Sequence, residues 1–544
     1  MRSLILAALR LTLVPGAGAL AQTSPSPPKL VVVIVIDQFR SDYPQRFRSY
    51  FSTGGINLFF QRGAVFSRAR YEHGILVTCP GHAAVMTGSY TDVNGIVSNY
   101  WYDQKAGREE YCAADSSGSL VGAVGKGRSP RYLADSTVGD VLKGASGGLS
   151  RVITISGKDR SAIMLGGHLA DAAYWTLDTL FVTSTYYEKE LPRWVREFNA
   201  SGRASAYLGK PWTRLLPSGA YVAMGPDDVA SERNVAGMGR TFPHRPPAGS
   251  PHDRLVEAFE NSPLHNELLA QFAMQAIVHQ GLGRHQHPDL LAIGLSANDL
   301  IGHAYGPDSH EVMDVTIRTD RLLERLFQFL DRRVGLANVV IVVTGDHGVA
   351  PLPEVMQKRD PHSGAARLDP SVVPAAAEAA LQARYGPTGD SGWIAHHGYP
   401  YLYLNLAALR RKGASVEEAE RVAKEAVQKV PGVQQAVTAT ELARQRSQGA
   451  HSNAERSFFP GRSGNVYYQL QPYVIPQGRP DGTSHGAIWP YDTDVPLLWF
   501  GAGIVPGEYT GPAAPNDIAP TLSALLGIAE PSGSEGRVLK EMLR

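Results

Sequence analysis

The chain has 544 residues, 43% hydrophobic and 19% charged, with a formal net charge of +1 at pH 7. That length supplies a sizeable core and sets an expectation of two or three domains, or one large domain with insertions. The near-zero charge carries no electrostatic footprint for nucleic acid or an anionic membrane surface, so no nucleic-acid partner is expected.

The first 21 residues, MRSLILAALRLTLVPGAGALA, set Arg2 before an apolar stretch that ends in Ala19-Leu20-Ala21. This is the pattern of a secretory signal peptide with a small-residue cleavage site, so a periplasmic or secreted protein is expected. Arg10 and Pro15 interrupt the stretch, which is too short to act as a membrane anchor. No later segment holds about 18 uninterrupted apolar residues, so no transmembrane helix is expected. No coiled-coil pattern occurs, which leaves a monomer as the default.

The run KLVVVIVID, residues 29 to 37, is continuously apolar and ends in Asp37. Such a run suits a parallel strand buried on both faces. Next, ILVTCPGHAAVMTG places Thr78 where an apolar run meets a small-residue, helix-like segment. A nucleophilic hydroxyl presented at the entry to a helix is one reading; an ordinary loop threonine is the other. Cys79 and Cys112 are the only cysteines. In an oxidising compartment they can form one disulfide or remain two buried thiols, but they cannot build a CxxC zinc site.

RVITISG at 151, DLLAIGLSAND at 289, ANVVIVVTGDHG at 337 and DVPLLWFGAG at 494 resemble the first run. Helical patterns lie between them. The clearest, from His310 to Gly335, repeats Val315, Leu322, Leu323, Leu326, Phe327 and Leu330 on one face. Asp308 or Ser309 is its candidate cap, and Asn516 or Asp517 caps NDIAPTLSALLG. Strands alternating with helices predict an α/β fold of three αβα layers around a largely parallel central sheet. Residues about 170 to 285, rich in aromatics, Pro and Gly, are expected to form an inserted cap over one end of the sheet. Residues about 390 to 480 read strand, helix, strand, and are expected to form a small inserted α+β subdomain.

Asp37, Asp346 and, after a short loop, Asp299 follow strand-like runs. In open α/β sheets, ligands bind at the carboxyl ends of the strands. DLIGH sets Asp299 and His303 four apart, on one side of a helical turn. TGDHG places Asp346 and His347 between glycines that permit tight turns, and TSHGA adds His485. Mixed carboxylate and imidazole groups suit Zn²⁺ or a similar first-row ion, whereas Mg²⁺ and Ca²⁺ prefer all-oxygen shells. Six such groups exceed one tetrahedral shell and match two ions with shared or open positions. His73, His82, His168, His310, His396 and His397 are read as turn, capping or surface residues.

The ordered set Asp37, Thr78, Asp299-x-x-x-His303, Asp346-His347 and His485-Gly resembles the alkaline phosphatase superfamily. More narrowly, TCPGHAAVMTG, SNYWYD, SGKDRSAIMLGGH, DLIGHAYGP and GDHG resemble the threonine-nucleophile, PafA-type alkaline phosphatases. The likeness runs from about residue 29 to the C-terminus and implies one catalytic domain over residues 22 to 544. It implies two Zn²⁺ per chain, one held by Asp299, His303 and His485, the other by Asp37, Asp346 and His347. It makes Thr78 the nucleophile beside the second ion, forming a phosphothreonine intermediate. It assigns Asn99, Lys158 and Arg160 to the phosphoryl oxygens.

Two cations beside the site favour the monoester dianion over the diester monoanion. The expected activity is therefore that of a secreted phosphomonoesterase acting on small-molecule phosphate esters. A phosphodiesterase or nucleotide pyrophosphatase of the same superfamily is the alternative. A catalytically silent phosphate-binding relative is another, although no ligand or nucleophile position is lost. A sulfatase signature, C-x-P-x-R, is not met at Cys79-Pro80.

Overall fold

The computed structural model describes residues 27–389, 391–447 and 452–544. The expected signal peptide lies outside these residues. Among them, no helix is long and apolar enough to cross a membrane.

Strand β1 (Leu30–Ile36) is buried along its whole length. Leu30, Val32, Ile34 and Ile36 point into one apolar core, and Val31, Val33 and Val35 into a second on the opposite face. That division follows from the two-residue period of a strand. It explains why the run is apolar at every position, and why helices cover both faces. Fully burying each Val or Ile contributes about 1.5–3 kcal/mol, so a charge placed at Val33 would unseat the central strand.

Strands β2 (Val152–Ser156), β3 (Ala172–Leu177), β4 (Asp289–Leu295) and β5 (Val339–Thr344) lie parallel with β1 in the order β5-β1-β4-β2-β3. They are the centre of an eleven-stranded sheet. Both neighbours of β1 come late in the chain, so their carboxyl ends bring residues near 37, 299 and 346 together. Strand β6 (Leu497–Gly501) departs from the sequence reading, because it pairs antiparallel with β5. An apolar run reports two-sided burial, not strand direction.

The long helix His310–Arg333 is capped by Ser309, whose side chain accepts from Val312 N–H. The alternative cap, Asp308, is held by Arg46 and Arg359 instead. Asp517 stands at the N-cap position of Ile518–Leu526, but its carboxylate accepts the Ala514 and Arg537 N–H groups and makes no capping hydrogen bond to this helix.

The expected cap over residues 170 to 285 has different limits. Residues Ala172–Leu177 and Leu180–Ser184 are strands of the main sheet, and helix Pro263–His279 packs into the main core. The aromatics that suggested an insertion fill this core: Phe181 stacks on Phe272 with ring centroids 3.6 Å apart.

Residues Ile394–Gly398, Tyr401–Leu404, Val433–Thr438 and Val466–Leu470 form a separate four-stranded antiparallel sheet. Helices Val372–Tyr385 and Val416–Val427 share its apolar core, so this unit begins before residue 390. It also braces the segment leading to Thr78: Gly74 N–H donates to Ser457 Oγ at 2.7 Å, and Gln469 Nε2 donates to Gly74 O at 3.3 Å.

Candidate metal and phosphoryl site

Thr78 is the first residue of helix α1 (Thr78–Thr87), which is buried throughout. Pro80 fits the first turn, where its missing N–H costs nothing, and Gly88 ends the helix in the left-handed region at φ +72°. The helix approaches the end of β5 closely. A Cβ on Gly81 would lie 2.8 Å from the Asp346 Cβ, so only glycine fits there. The sequence thus places Thr78, 2% exposed, beside the strand end that carries Asp346.

Asp37 directly follows β1, and Asp299 and His303 lie on helix α2 (Ala297–Tyr305) after β4. Gln38 joins the three carboxylate positions. Its backbone N–H donates to Asp346 Oδ1 at 3.0 Å and its Nε2 donates to Asp299 Oδ1 at 2.8 Å. Gln38 does this at φ +63°, a region that costs a side-chain-bearing residue energy and collects at functional sites.

The imidazoles share one arrangement. His303 Nδ1 donates to Thr483 O at 2.9 Å, His347 Nδ1 to Gly348 O at 2.9 Å, and His485 Nδ1 to Leu76 O at 2.5 Å. Each backbone acceptor fixes the proton on Nδ1 and leaves Nε2 as an electron-pair donor. His303 Nε2 lies 3.3 Å from Asp299 Oδ1 and 3.2 Å from His485 Nε2, which is 3.6 Å from the same carboxylate oxygen. His347 Nε2 lies 3.3 Å from Asp346 Oδ2 and 3.5 Å from Asp37 Oδ1. His347 and His485 stack with ring centroids 3.6 Å apart, so the two groups adjoin.

Asp37 Oδ1 and His347 Nε2 are buried without hydrogen-bond partners among the described residues, and the buried Asp346 Oδ2 is approached by His82 Nδ1 and His347 Nε2, each at 3.3 Å. Lone pairs that converge in a buried site repel one another unless a cation lies among them. Asp37, Asp346 and His347, and likewise Asp299, His347 and His485, each offer ligand atoms within 4.8 Å of one another. The two groups share His347, and the donor set fits metal ions of the kind that accept nitrogen and oxygen together.

Lys158 places Nζ 2.5 Å from Asp37 Oδ2 and 2.6 Å from Asp299 Oδ2. Burial and the Asp346 charge push Asp37 up to about 7, against the pull of Lys158 and His347. Burial also raises Asp299, but Lys158 and His303 outweigh it and hold this carboxyl well below the usual range. Burial would lower Lys158, yet Asp299 and Asp37 keep it above the usual lysine value.

Arg160 is differently placed. Its neighbour Asp159 is engaged by Arg128 at 2.7 Å and by the Tyr111 hydroxyl. The Arg160 Nε is buried without a hydrogen-bond partner among the described residues. Asn99 accepts the Cys79 N–H through Oδ1 at 2.8 Å, which leaves its amide NH₂ as the available donor. Cys79 and Cys112 form a disulfide, and Cys112 N–H donates to Asn99 O at 3.0 Å.

Two contributors were not legible as such. His82, read as a bystander, is fully buried, and its Nδ1 lies 2.9 Å from Thr78 O and 3.3 Å from Asp346 Oδ2. Its spacing of four from Thr78 was the available signal. Asp492 accepts the Gly486 and Ala487 N–H groups at 2.9 and 2.8 Å, fixing the turn after His485. No sequence pattern marked it.

Residues 31–474 match the family described as type I phosphodiesterase / nucleotide pyrophosphatase. Alkaline phosphatase PhoV of Synechococcus elongatus is 33% identical over 525 residues, covering 95% of this chain and 93% of that one. Alkaline phosphatase PafA of Elizabethkingia meningoseptica is 32% identical over 525 residues, covering 95% and 94%. The crystal structure of wild-type alkaline phosphatase PafA matches with a TM-score of 0.89 at 31% identity, covering 96% of this chain and all of that one.

Proposed function

The chain belongs to the type I phosphodiesterase / nucleotide pyrophosphatase family, within the alkaline phosphatase superfamily, and from that premise we propose a secreted, metal-dependent alkaline phosphatase. It hydrolyses small-molecule phosphate monoesters through a phosphothreonine at Thr78. The observation that carries this reading is the shared imidazole arrangement: three Nδ1 atoms held by backbone carbonyls, with Nε2 atoms turned toward Asp37, Asp299 and Asp346.

In this reading Asp299, His303 and His485 would hold one Zn²⁺, and Asp37, Asp346 and His347 the other. When bound, such ions would supply Lewis-acid stabilisation to the attacking and leaving oxygens. Thr78 Oγ1 attacks phosphorus as it gives up its proton, and the bond from phosphorus to the alcohol oxygen breaks with its electron pair on that oxygen, which takes up a proton. Water then attacks phosphorus, the bond from phosphorus to Thr78 Oγ1 breaks, a proton of the water restores the Thr78 hydroxyl, and inorganic phosphate leaves.

Arg160, half-buried beside Tyr111 and Asp159, grips phosphoryl oxygens bidentately. The Asn99 NH₂ donates to a third oxygen position. The Lys158 ammonium lies between two carboxylates and can turn from them to a phosphoryl dianion. These donors act where charge is spread in the transition state.

The family description names diesterases and pyrophosphatases, which supports a diesterase as the second reading. Arg160 and Lys158 favour the monoester, because a dianion places more charge on the oxygens they face. Acid-quenched turnover followed by peptide mass spectrometry tests the intermediate. The phosphoryl group is expected on the peptide carrying Thr78 and absent from Thr78→Ala; turnover by that variant at the wild-type rate would reject the nucleophile.

A further inference from the structure

The segment carrying His485 is strapped to helix α2 and to residues 231–233. Gly482 N–H donates to Ser231 O at 2.7 Å, Thr483 N–H to His303 O at 2.9 Å, and Arg233 N–H to Ala304 O at 2.9 Å. Beside these straps opens a cleft of about 410 Å³, lined by Leu300, His303, Thr483, Arg233, Arg479 and Glu257 among others. His303 therefore faces both the candidate metal site and this cleft.

Arg233 is held in place by its surroundings. Gly482, at φ +70°, packs its backbone on the guanidinium, and a Cβ there would lie 3.1 Å from Nη2. The Arg233 Nε is buried and bonds nothing among the described residues. Arg479 is the second cation; its side chain is 57% exposed and only approaches Asp481, at 4.0 Å. Burial and the nearby Arg479 charge hold Arg233 below the usual arginine range, with Asp481 and Glu257 pulling the other way. The cleft thus keeps two cations close together, one of them partly desolvated, without a full ion pair. A guest with anionic oxygens would supply what both lack.

The position gives the guest its identity. In the proposed reaction Thr78 attacks from the Asp346 side, so the leaving alcohol departs on the side of Asp299, His303 and His485. We propose that the cleft is a second anion subsite, in which Arg233 and Arg479 bind a phosphate or carboxylate carried by the substrate's leaving group. The inference rests on the phosphatase reading above and narrows its substrates to monoesters with a second anionic group.

The test compares butanediol bisphosphate with butanediol monophosphate on the zinc-loaded protein. Per phosphoryl group, kcat/KM is expected to favour the bisphosphate by about tenfold, the scale of one charge-assisted hydrogen bond. Arg233→Ala should lower kcat/KM for the bisphosphate about tenfold more than for the monophosphate. Arg479→Ala, on the more exposed guanidinium, reads the same difference if Arg233→Ala folds poorly. No wild-type preference, or equal losses on both esters, would overturn the subsite. Turnover of neither ester would contradict the phosphatase reading instead. Calorimetric binding of butane bisphosphonate against butylphosphonate, by wild type and Arg233→Ala, then decides the subsite alone: equal affinities in both proteins would reject it.

Discussion

His82 Nδ1 lies 3.3 Å from Asp346 Oδ2, inside a helix whose first residue is Thr78. The ring is fully buried and also reaches the Thr78 carbonyl oxygen at 2.9 Å. It ties the helix that presents the proposed nucleophile to the strand end that presents a proposed ligand. Burial raises the Asp346 carboxyl, but His82 and other partners outweigh it and hold it below the usual range.

Replacing His82 by Ala should therefore loosen both parts together. We expect a loss of about 10–100-fold in kcat/KM, the usual scale for a residue that orients a metal ligand. The same variant should surrender zinc to a chelator faster than wild type. Unchanged metal retention would show that His82 only packs.

Lys158→Ala with Arg160→Ala should separate ester classes. Kinetics on matched aryl esters should show a loss of about 100–1000-fold for the monoester and a much smaller loss for the diester. Equal losses would undo the argument that these cations select the dianion.

Glu232 gives a stability prediction away from the metal site. Burial, then the Glu311 carboxylate, push it up to about 10. Its Oε2 is buried without a hydrogen-bond partner among the described residues. The folded protein holds a proton that the unfolded chain releases near pH 4.5. That contribution is complete below about pH 4.5 and is lost as pH rises toward 10. Glu232→Gln keeps the neutral form, so its Tm should exceed wild type at about pH 8. The difference should close by about pH 4, and a constant offset across pH would contradict the assignment.

The disulfide fixes Asn99 through the cysteine N–H groups on both sides of it: Cys79 to the side chain, Cys112 to the backbone. It joins residues 33 apart, and its loss should cost about 3–4 kcal/mol. Denaturant midpoints of wild type and the Cys79→Ser, Cys112→Ser double variant measure this. An unchanged midpoint would mean that packing alone holds the loop.

The sequence was legible where one residue type had one physical use. Val31 to Ile36 are apolar on both faces because both faces meet cores, and Asp37 follows because the chain leaves the sheet there. Asp299 and His303 were readable as a pair because helical spacing puts them on one side. Strand direction at Leu497–Gly501 was not readable, since burial looks alike in either sense. Aromatics near 181 and 272 suggested a cap but fill the main core. Gln38 and Asp492 act through long-range hydrogen bonds that leave no periodic trace.

The central claim is monoester hydrolysis at a two-metal site. The most direct measurement is kcat/KM of the zinc-loaded protein for matched aryl phosphate monoester, phosphate diester and sulfate ester. The account predicts the monoester far ahead, with the activity lost on chelation and restored by Zn²⁺. A diester ahead of the monoester would contradict it, and would leave Lys158 and Arg160 without the role given to them.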